Sequence, residues 1–460
     1  MRKLILLLSL TTAGCAVGPH YEPPQIEVKS AGAYITEAHG VDGTAALPDH
    51  WWRLYDDPVL DGLVERALAA NTDLRVASAN LAKAQAVLGE TRAGRLPSTG
   101  LSGGTSYGSA TGGSPQPAGN EQWTHSGGLA LSWEVDLFGR VVRAIGAARA
   151  DAEAVEAVRD AVRVTVAAET ARAYGDACTF GASAMIARTS LATTEDSLRI
   201  VTAQQQAGSV GRLEVERAAG AVATARAAIP ELDGLRRVAL LELAALLGGQ
   251  PGDVPIEAQN CTDIPAPIAT LPIGDGNALL RRRPDLREAE RRLAADTARI
   301  GVATADLYPR IQLGANGNFL RDDDTKGSDS FGFSLGPLLS WSFPNVAVAR
   351  SRVKQAEAQG EASLATFDGK VIGALKEVEQ ALARYDAGQQ RHAALTEARD
   401  RAQTSYGLAQ ARYRAGSVSL LDTVIAQQSL IEARATLATS QQQLGSARID
   451  LFKALGGGWG

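Results

Sequence analysis

Residues 411–422 read ARYRAGSVSLLD, and residues 203–214 read AQQQAGSVGRLE. The shared Ala-Gly-Ser-Val puts Gly208 and Gly416 at an offset of 208 residues, each followed by Leu and then an acid. The same offset of 208 relates LALSW (129–133) to LLSW (338–341), and ALLGG (245–249) to KALGG (453–457). Upstream, TDLR (72–75) matches PDLR (284–287) and RLP (95–97) matches LYP (307–309), both at 212. One register held across most of each half marks an internal duplication. Its period is too long for a solenoid unit.

Glycine accepts the left-handed conformation that ends a helix. Each Ala-Gly-Ser-Val therefore reads as the tip of a helical hairpin, at 208–211 and 416–419. The flanking stretches agree. No proline occurs between Phe138 and Pro230, and none follows Pro344. Val371, Leu375, Val378, Leu382 and Tyr385 are spaced 4, 3, 4 and 3, a heptad seam. A helix over 142–206 would be roughly 100 Å long at about 1.5 Å per residue, and 346–414 would match it.

Between the helices the period changes to two. Leu129, Leu131, Trp133, Val135 and Leu137 alternate with Ala130, Ser132, Glu134 and Asp136. Ile311, Leu313, Ala315, Gly317 and Phe319 repeat the pattern, as do Phe331, Phe333, Leu335, Pro337, Leu339, Trp341 and Phe343. These stretches predict hairpins at about 98–137 and 310–343. Tilted strands of about 9–11 residues span a bilayer, and soluble amphipathic hairpins would look similar. Four strands leave open edges, which lipid does not tolerate. A membrane reading therefore requires subunits to share one barrel.

The chain has 460 residues, with 46 Lys and Arg against 51 Asp and Glu, and only 5% aromatics. A net charge of −5 offers no basic face, so no nucleic-acid partner is expected. No run of 18 apolar residues exists, so no transmembrane helix is expected. Residues 1–14, MRKLILLLSLTTAG, read as an export signal: Arg2 and Lys3, an apolar run, then small residues. Cys15 directly afterwards resembles the acylated Cys of a bacterial lipoprotein; an ordinary signal peptide is the alternative. Of the 3 cysteines, Cys178 and Cys261 then remain in an oxidising compartment. A disulfide between them is expected, with two unpaired structural thiols as the alternative. His20, His39, His50, His125 and His392 show no metal-ligand spacing, and neither a metal nor another cofactor is expected.

Catalytic motifs fail in context. GLSGG (100–104) has the spacing of a nucleophile elbow but lies in a Gly/Ser-rich strand with no helix following. DDDTKGSD (322–329) lacks the closing Glu and flanking helices of a calcium loop. No enzyme is expected.

CAVGPHYEPP (15–24), WWRLYDDPVLDGLVERALAANTDLRVA (51–77), DLFGR (136–140), RRRPDLREAERRLAADTARIGVATADLYPR (281–310) and YRAGSVSLLD (413–422) together resemble the outer membrane factor family. These are TolC-like channels, in their NodT-type lipoprotein branch. The resemblance implies a mixed α and β membrane protein. A homotrimer would build a 12-stranded outer-membrane β-barrel, four strands per chain, continuous with a long periplasmic α-helical coiled-coil barrel. It further implies passive export of small molecules from an inner-membrane efflux pump through a periplasmic adaptor. The alternatives are a type I protein-secretion channel and a non-conducting coiled-coil lipoprotein scaffold. Domain expectations are 15–55 as an extended equatorial segment, 56–257 as the first repeat, 258–277 as an equatorial linker and 278–457 as the second repeat.

By the same resemblance Gly208, Ser209, Val210, Gly416, Ser417 and Val418 are adaptor-contacting tips. Leu421, Asp422, Ile425 and Glu214 fall at periplasmic gate positions, with one acidic ring expected at Asp422. The residues themselves allow a second role there, because Ser419 and Asp422 fit a helix capping box.

Overall fold

The first half of the chain runs through β1 (Val41–Asp42), α1 (Pro58–Ala70), α2 (Thr72–Ala93), β2 (Ser98–Ser109), β3 (Glu121–Val135), α3 (Arg140–Gln206) and α4 (Arg212–Leu246). A short α5 (Ile256–Gln259) follows. The second half repeats the order with β4 (Leu271–Pro272), α6 (Gly276–Arg282), α7 (Pro284–Ala305), β5 (Arg310–Arg321), β6 (Phe331–Ser340), α8 (Ala347–Arg414) and α9 (Leu420–Ala454). Helices α2 and α7 both have 22 residues, α4 and α9 both have 35, and α3 and α8 have 67 and 68. This computed structural model describes residues 16–24, 32–109, 121–262, 265–266, 270–323, 325–341 and 346–457. The export signal, Cys15 and Phe343 lie outside the described residues.

The chain divides into two compact units. One takes Met1–Pro24, Asn80–Glu156 and Glu288–Asp368; the other takes Gln25–Ala79, Ala157–Arg287 and Gly369–Gly460. The segment 15–55 is thus split, its first part belonging with the strands and the rest with the helices.

In the first unit the strands form one antiparallel sheet in the order β2-β3-β5-β6. The register aligns the apolar stripes. Leu101 faces Leu129, Leu129 faces Gly317, and Gly317 faces Phe333. Thr99, Leu131, Ala315 and Leu335 make the next row. Paired residues in a sheet point to one side, so the alternation predicted in each strand becomes a single apolar face. Among the described residues nothing covers that face: Phe333 is 91% exposed, Leu101 87% and Leu335 80%. The outer edges of β2 and β6 carry no strand partner among the described residues.

In the second unit the core gathers around Trp51, Trp52 and Tyr55, a 3-10 turn that leads into α1. Asp57 caps α1 by accepting from the Val59 and Leu60 amides, with Pro58 supplying a preset first turn. Trp51 stacks on Phe452 of α9 at 4.6 Å and 21°. The heptad seam of α8 faces this core through Val378, Leu382 and Tyr385, with Leu375 packed beside them; Val371, at the start of the seam, is also buried. Pro230 sits inside α4 on an exposed turn, where water can satisfy the carbonyl its missing N–H leaves free.

The Arg-Arg-Arg-Pro-Asp run closes this unit. Arg283 is buried and donates to Asp285 at 2.8 Å, Glu377 at 2.7 Å and the Ala454 carbonyl at 3.0 Å. Arg282 reaches Asp49 at 2.7 Å and the Gly456 carbonyl at 3.3 Å. Two arginines thereby tie the end of α9 to the start of α7. The described residues toward both ends of the linker 258–277 are held by contacts its composition does not announce. Its β4 pairs in parallel with β1, Leu271 opposite Val41, and Arg236 donates to the Gln259 and Cys261 carbonyls.

Candidate functional site

The two hairpin tips share one geometry. Gly208 has φ +78° and Gly416 φ +73°, the left-handed region that favours glycine. The Ser209 amide donates to the Gln204 carbonyl and the Ser417 amide to the Arg412 carbonyl, each at 2.9 Å. Gly208 donates to Gln205 and Gly416 to Tyr413, also at 2.9 Å. These paired bonds form a Schellman motif and satisfy the last helical carbonyls. Each tip serine adds a side-chain bond, Ser209 Oγ to Gln204 O at 2.9 Å and Ser417 Oγ to Arg412 O at 3.1 Å.

The hairpins also touch one another. Val201, Ala218 and Leu420 form a small buried cluster with Val210, Val215, Tyr413 and Val424 packed on it. Tyr413 Oη donates to Gln204 Oε1 at 2.5 Å, bridging the repeats. Gly208, Ser209, Gly416 and Ser417 are exposed, while Val210 and Val418 are half-buried.

Beyond the second tip, Ser419 and Asp422 form a complete capping box. Asp422 N–H donates to Ser419 Oγ at 3.2 Å, and Asp422 Oδ2 accepts from the Ser419 amide at 3.0 Å and hydroxyl at 2.6 Å. Those bonds hold the carboxyl below its ordinary value of 3.8. A carboxyl depressed in the folded chain stabilises it above the unfolded pKa, and loses that contribution as pH falls through the folded pKa. The cap therefore persists at neutral pH and fails only in acid below that ordinary value. Leu421 and Ile425 stand on the same face, 42% and 55% exposed. Leu420 and Thr423 turn inward and are buried. In the first repeat Gly211 occupies the cap position without a side-chain bond, and Glu214 is half-buried.

Cys178 of α3 and Cys261 of the linker are bonded, with a Cα–Cα distance of 4.8 Å. Tyr174, one turn before Cys178, lies 3.6 Å from Cys261 Sγ and donates its hydroxyl to Asp57 at 3.0 Å.

Three features near the strands escaped the sequence reading. Trp133 Nε1 donates to the Arg95 carbonyl at 2.9 Å, and Trp341 Nε1 to the Leu307 carbonyl at 3.2 Å. Each indole thus ties the end of the second strand in its hairpin to the turn before the first. The repeated Ser-Trp at offset 208 was the available signal. The third feature is the N-terminal segment. Val17 N–H donates to the Phe138 carbonyl at 3.2 Å, and Arg143 donates to the Val17 and Gly18 carbonyls at 3.2 and 3.0 Å. Gly139 has φ +79°, and a Cβ there would lie 2.5 Å from the Ala16 Cβ. Asp-Leu-Phe-Gly-Arg is thus the seat for the residue next to Cys15.

A family model for outer membrane efflux proteins matches residues 63–249 and again residues 276–457. Nodulation protein T of Rhizobium leguminosarum bv. trifolii is 30% identical, over 98% of this chain and 96% of its own length. The solvent efflux pump outer membrane protein SrpC of Pseudomonas putida is 30% identical over 100% of this chain and 98% of its own. Among solved structures, the outer-membrane channel OprN matches with a TM-score of 0.88 at 34% identity, covering 97% of this chain and 100% of that one.

Proposed function

This chain belongs to the outer membrane efflux protein family and is an outer-membrane channel component of an efflux system; from that premise we propose that three copies close one barrel. The observation that carries the reading is the four-stranded sheet with an apolar face and with two edges unpaired among the described residues. In lipid each unpaired backbone group costs several kcal/mol, so an open sheet must close. Three chains supply twelve strands, within the range known for closed barrels. The channel is passive and non-enzymatic. An inner-membrane pump drives small molecules, such as drugs, toxic compounds or metal ions, through a periplasmic adaptor that docks on the tips at 208–210 and 416–418. Acyl chains on Cys15 add an anchor beside the barrel, worth about 0.8 kcal/mol per buried CH₂. Native mass spectrometry of detergent-extracted protein should find three chains, each starting at Cys15 and carrying lipid. Single chains would sink the shared barrel, and a bare or different N-terminus would sink the anchor.

Leu421, Asp422 and Ile425, with Glu214 from the first repeat, form the periplasmic gate in this reading. Three copies of Asp422 would make one acidic ring beside two apolar ones and favour cations while the gate is shut. The capping box does not compete with that role, because one carboxylate oxygen can hold Ser419 while the charge faces the axis. Asp422→Asn keeps an oxygen for the cap and removes the charge. In planar bilayers it should lower the preference for cations or ease opening, with the thermal midpoint nearly unchanged. A lower midpoint with unchanged conductance would make Asp422 a cap alone.

A further inference from the structure

The four-stranded sheet has a second face, opposite the apolar one. In the same register Ala130 faces Asn316 and Asn316 faces Ser334; Gly128, Asn318 and Gly332 make the next row. Both asparagines are exposed. Among the described residues of the four strands, only Glu134 and Arg310 are ionisable on this face. Both lie at the end from which the helices leave, and both are neutralised locally. Glu134 accepts from Arg140 Nε and Nη2 at 2.8 and 2.5 Å, and Arg310 is paired with Asp306. The other ionisable groups of the strands, Glu121, His125 and Arg321, stand at the far end of the apolar side. From Gln312 outward the second face carries no charge.

The face is also flat. A Cβ at Gly332 would lie 2.8 Å from Asn318 Oδ1, and one at Gly128 would lie 2.7 Å from Ser102 Oγ. These two side chains therefore lie down across their glycine neighbours instead of standing off the sheet. Glycine inside a strand weakens it and often marks a place that something else must approach. The acids of the turn 322–329 stand clear of the middle of the face. Asp322 is six residues beyond Asn316, about 20 Å along an extended strand and roughly two screening lengths at about 0.1 M salt.

We infer that this face is the wall of the exit pore and that it is blind to charge, so that solutes of either sign, and neutral ones, pass along it alike. The inference rests on the shared-barrel reading, which turns the apolar face to lipid and the other to the interior. Charges of one sign lining a confined space concentrate solutes of the opposite sign and deplete the rest. This wall offers hydroxyls, amides and bare backbone instead, which hydrogen-bond any polar solute and hold none by charge. The cargo class that suits it is bulky polar solutes of mixed charge. Selection by charge is left to the helical part of the channel.

Asn316→Cys places a thiol in the wall, and Leu335→Cys places one on the lipid side in the adjacent row. The native Cys178 and Cys261 are already bonded to each other. Each full-length variant, reconstituted into lipid vesicles at about 0.1 M salt, would be reacted with a trimethylammonium and with a sulfonate methanethiosulfonate, neither of which crosses lipid. Modification at the introduced position is read by peptide mass. Each rate is divided by that for a free small thiol, and the cation-to-anion ratio then cancels the reactivity of the introduced thiol itself. For Asn316→Cys the ratio should be about one, and Leu335→Cys should be protected from both reagents. Adding Ser334→Asp, directly opposite, should raise the ratio about tenfold, the effect of one unpaired charge about 5 Å away in water. A bias of about that size without the added acid would overturn the inference. So would a thiol at position 316 that neither reagent reaches while position 335 is protected. Equal labelling at both positions would show that no lipid covers the apolar face, and the wall would fall with the shared barrel.

Discussion

Cys178→Ser is expected to be among the most destabilising single changes in the chain. The bridge joins residues 83 apart, and the chain-entropy model assigns a loop of that size about 4–5 kcal/mol. The loop contains the tip of the first hairpin, all of α4 and α5. Breaking the bond therefore frees the linker side of the helical unit, leaving it to the Arg236 bonds and the β1–β4 pair. Chemical unfolding of wild type with and without reductant should show a loss of the same size as the variant. Alkylation of denatured, unreduced protein should modify neither Cys178 nor Cys261. Two modified thiols would refute the bridge.

Trp51→Ala is the second large effect. Trp51 is fully buried, stacked on Phe452 and edge-on to Trp52 and Tyr55 at 6.0 and 6.3 Å. Truncating such a ring typically costs about 3–5 kcal/mol, through lost transfer energy and a residual cavity. The indole N–H is buried without a hydrogen-bond partner among the described residues. Trp51→Phe should accordingly cost far less, since it retains the stack and removes an unsatisfied donor. Urea unfolding of both variants checks the pair. Equal losses would mean that the N–H is bonded and that the stack is not the main contribution.

Much of this architecture was readable because it is written in local chemistry. Gly208 and Gly416 had to end helices, since their neighbours repeat the same donors and acceptors two hundred residues later. Ser419 and Asp422 announced their cap by spacing alone. The seam from Val371 to Tyr385 and the alternation from Leu129 to Val135 carried the two periodicities that separate helix from strand. What stayed hidden was held by contacts distant in sequence. Neither the Trp133 and Trp341 indole bonds nor the seat of Ala16 on Gly139 has a local signature. The linker looked loose because the strand it pairs with, Val41–Asp42, is only two residues long. The proposed gate rests on resemblance alone, because a ring of carboxylates would be a property of several chains while the cap belongs to one.

If identical chains share a conducting barrel, the purified protein must pass ions across a lipid bilayer. Single-channel recording of the purified protein in planar bilayers tests it most directly. Discrete conductance steps, cation-selective and reduced in selectivity by Asp422→Asn, are the predicted result. Protein that inserts into the bilayer without passing ions would contradict the account and leave a scaffold instead.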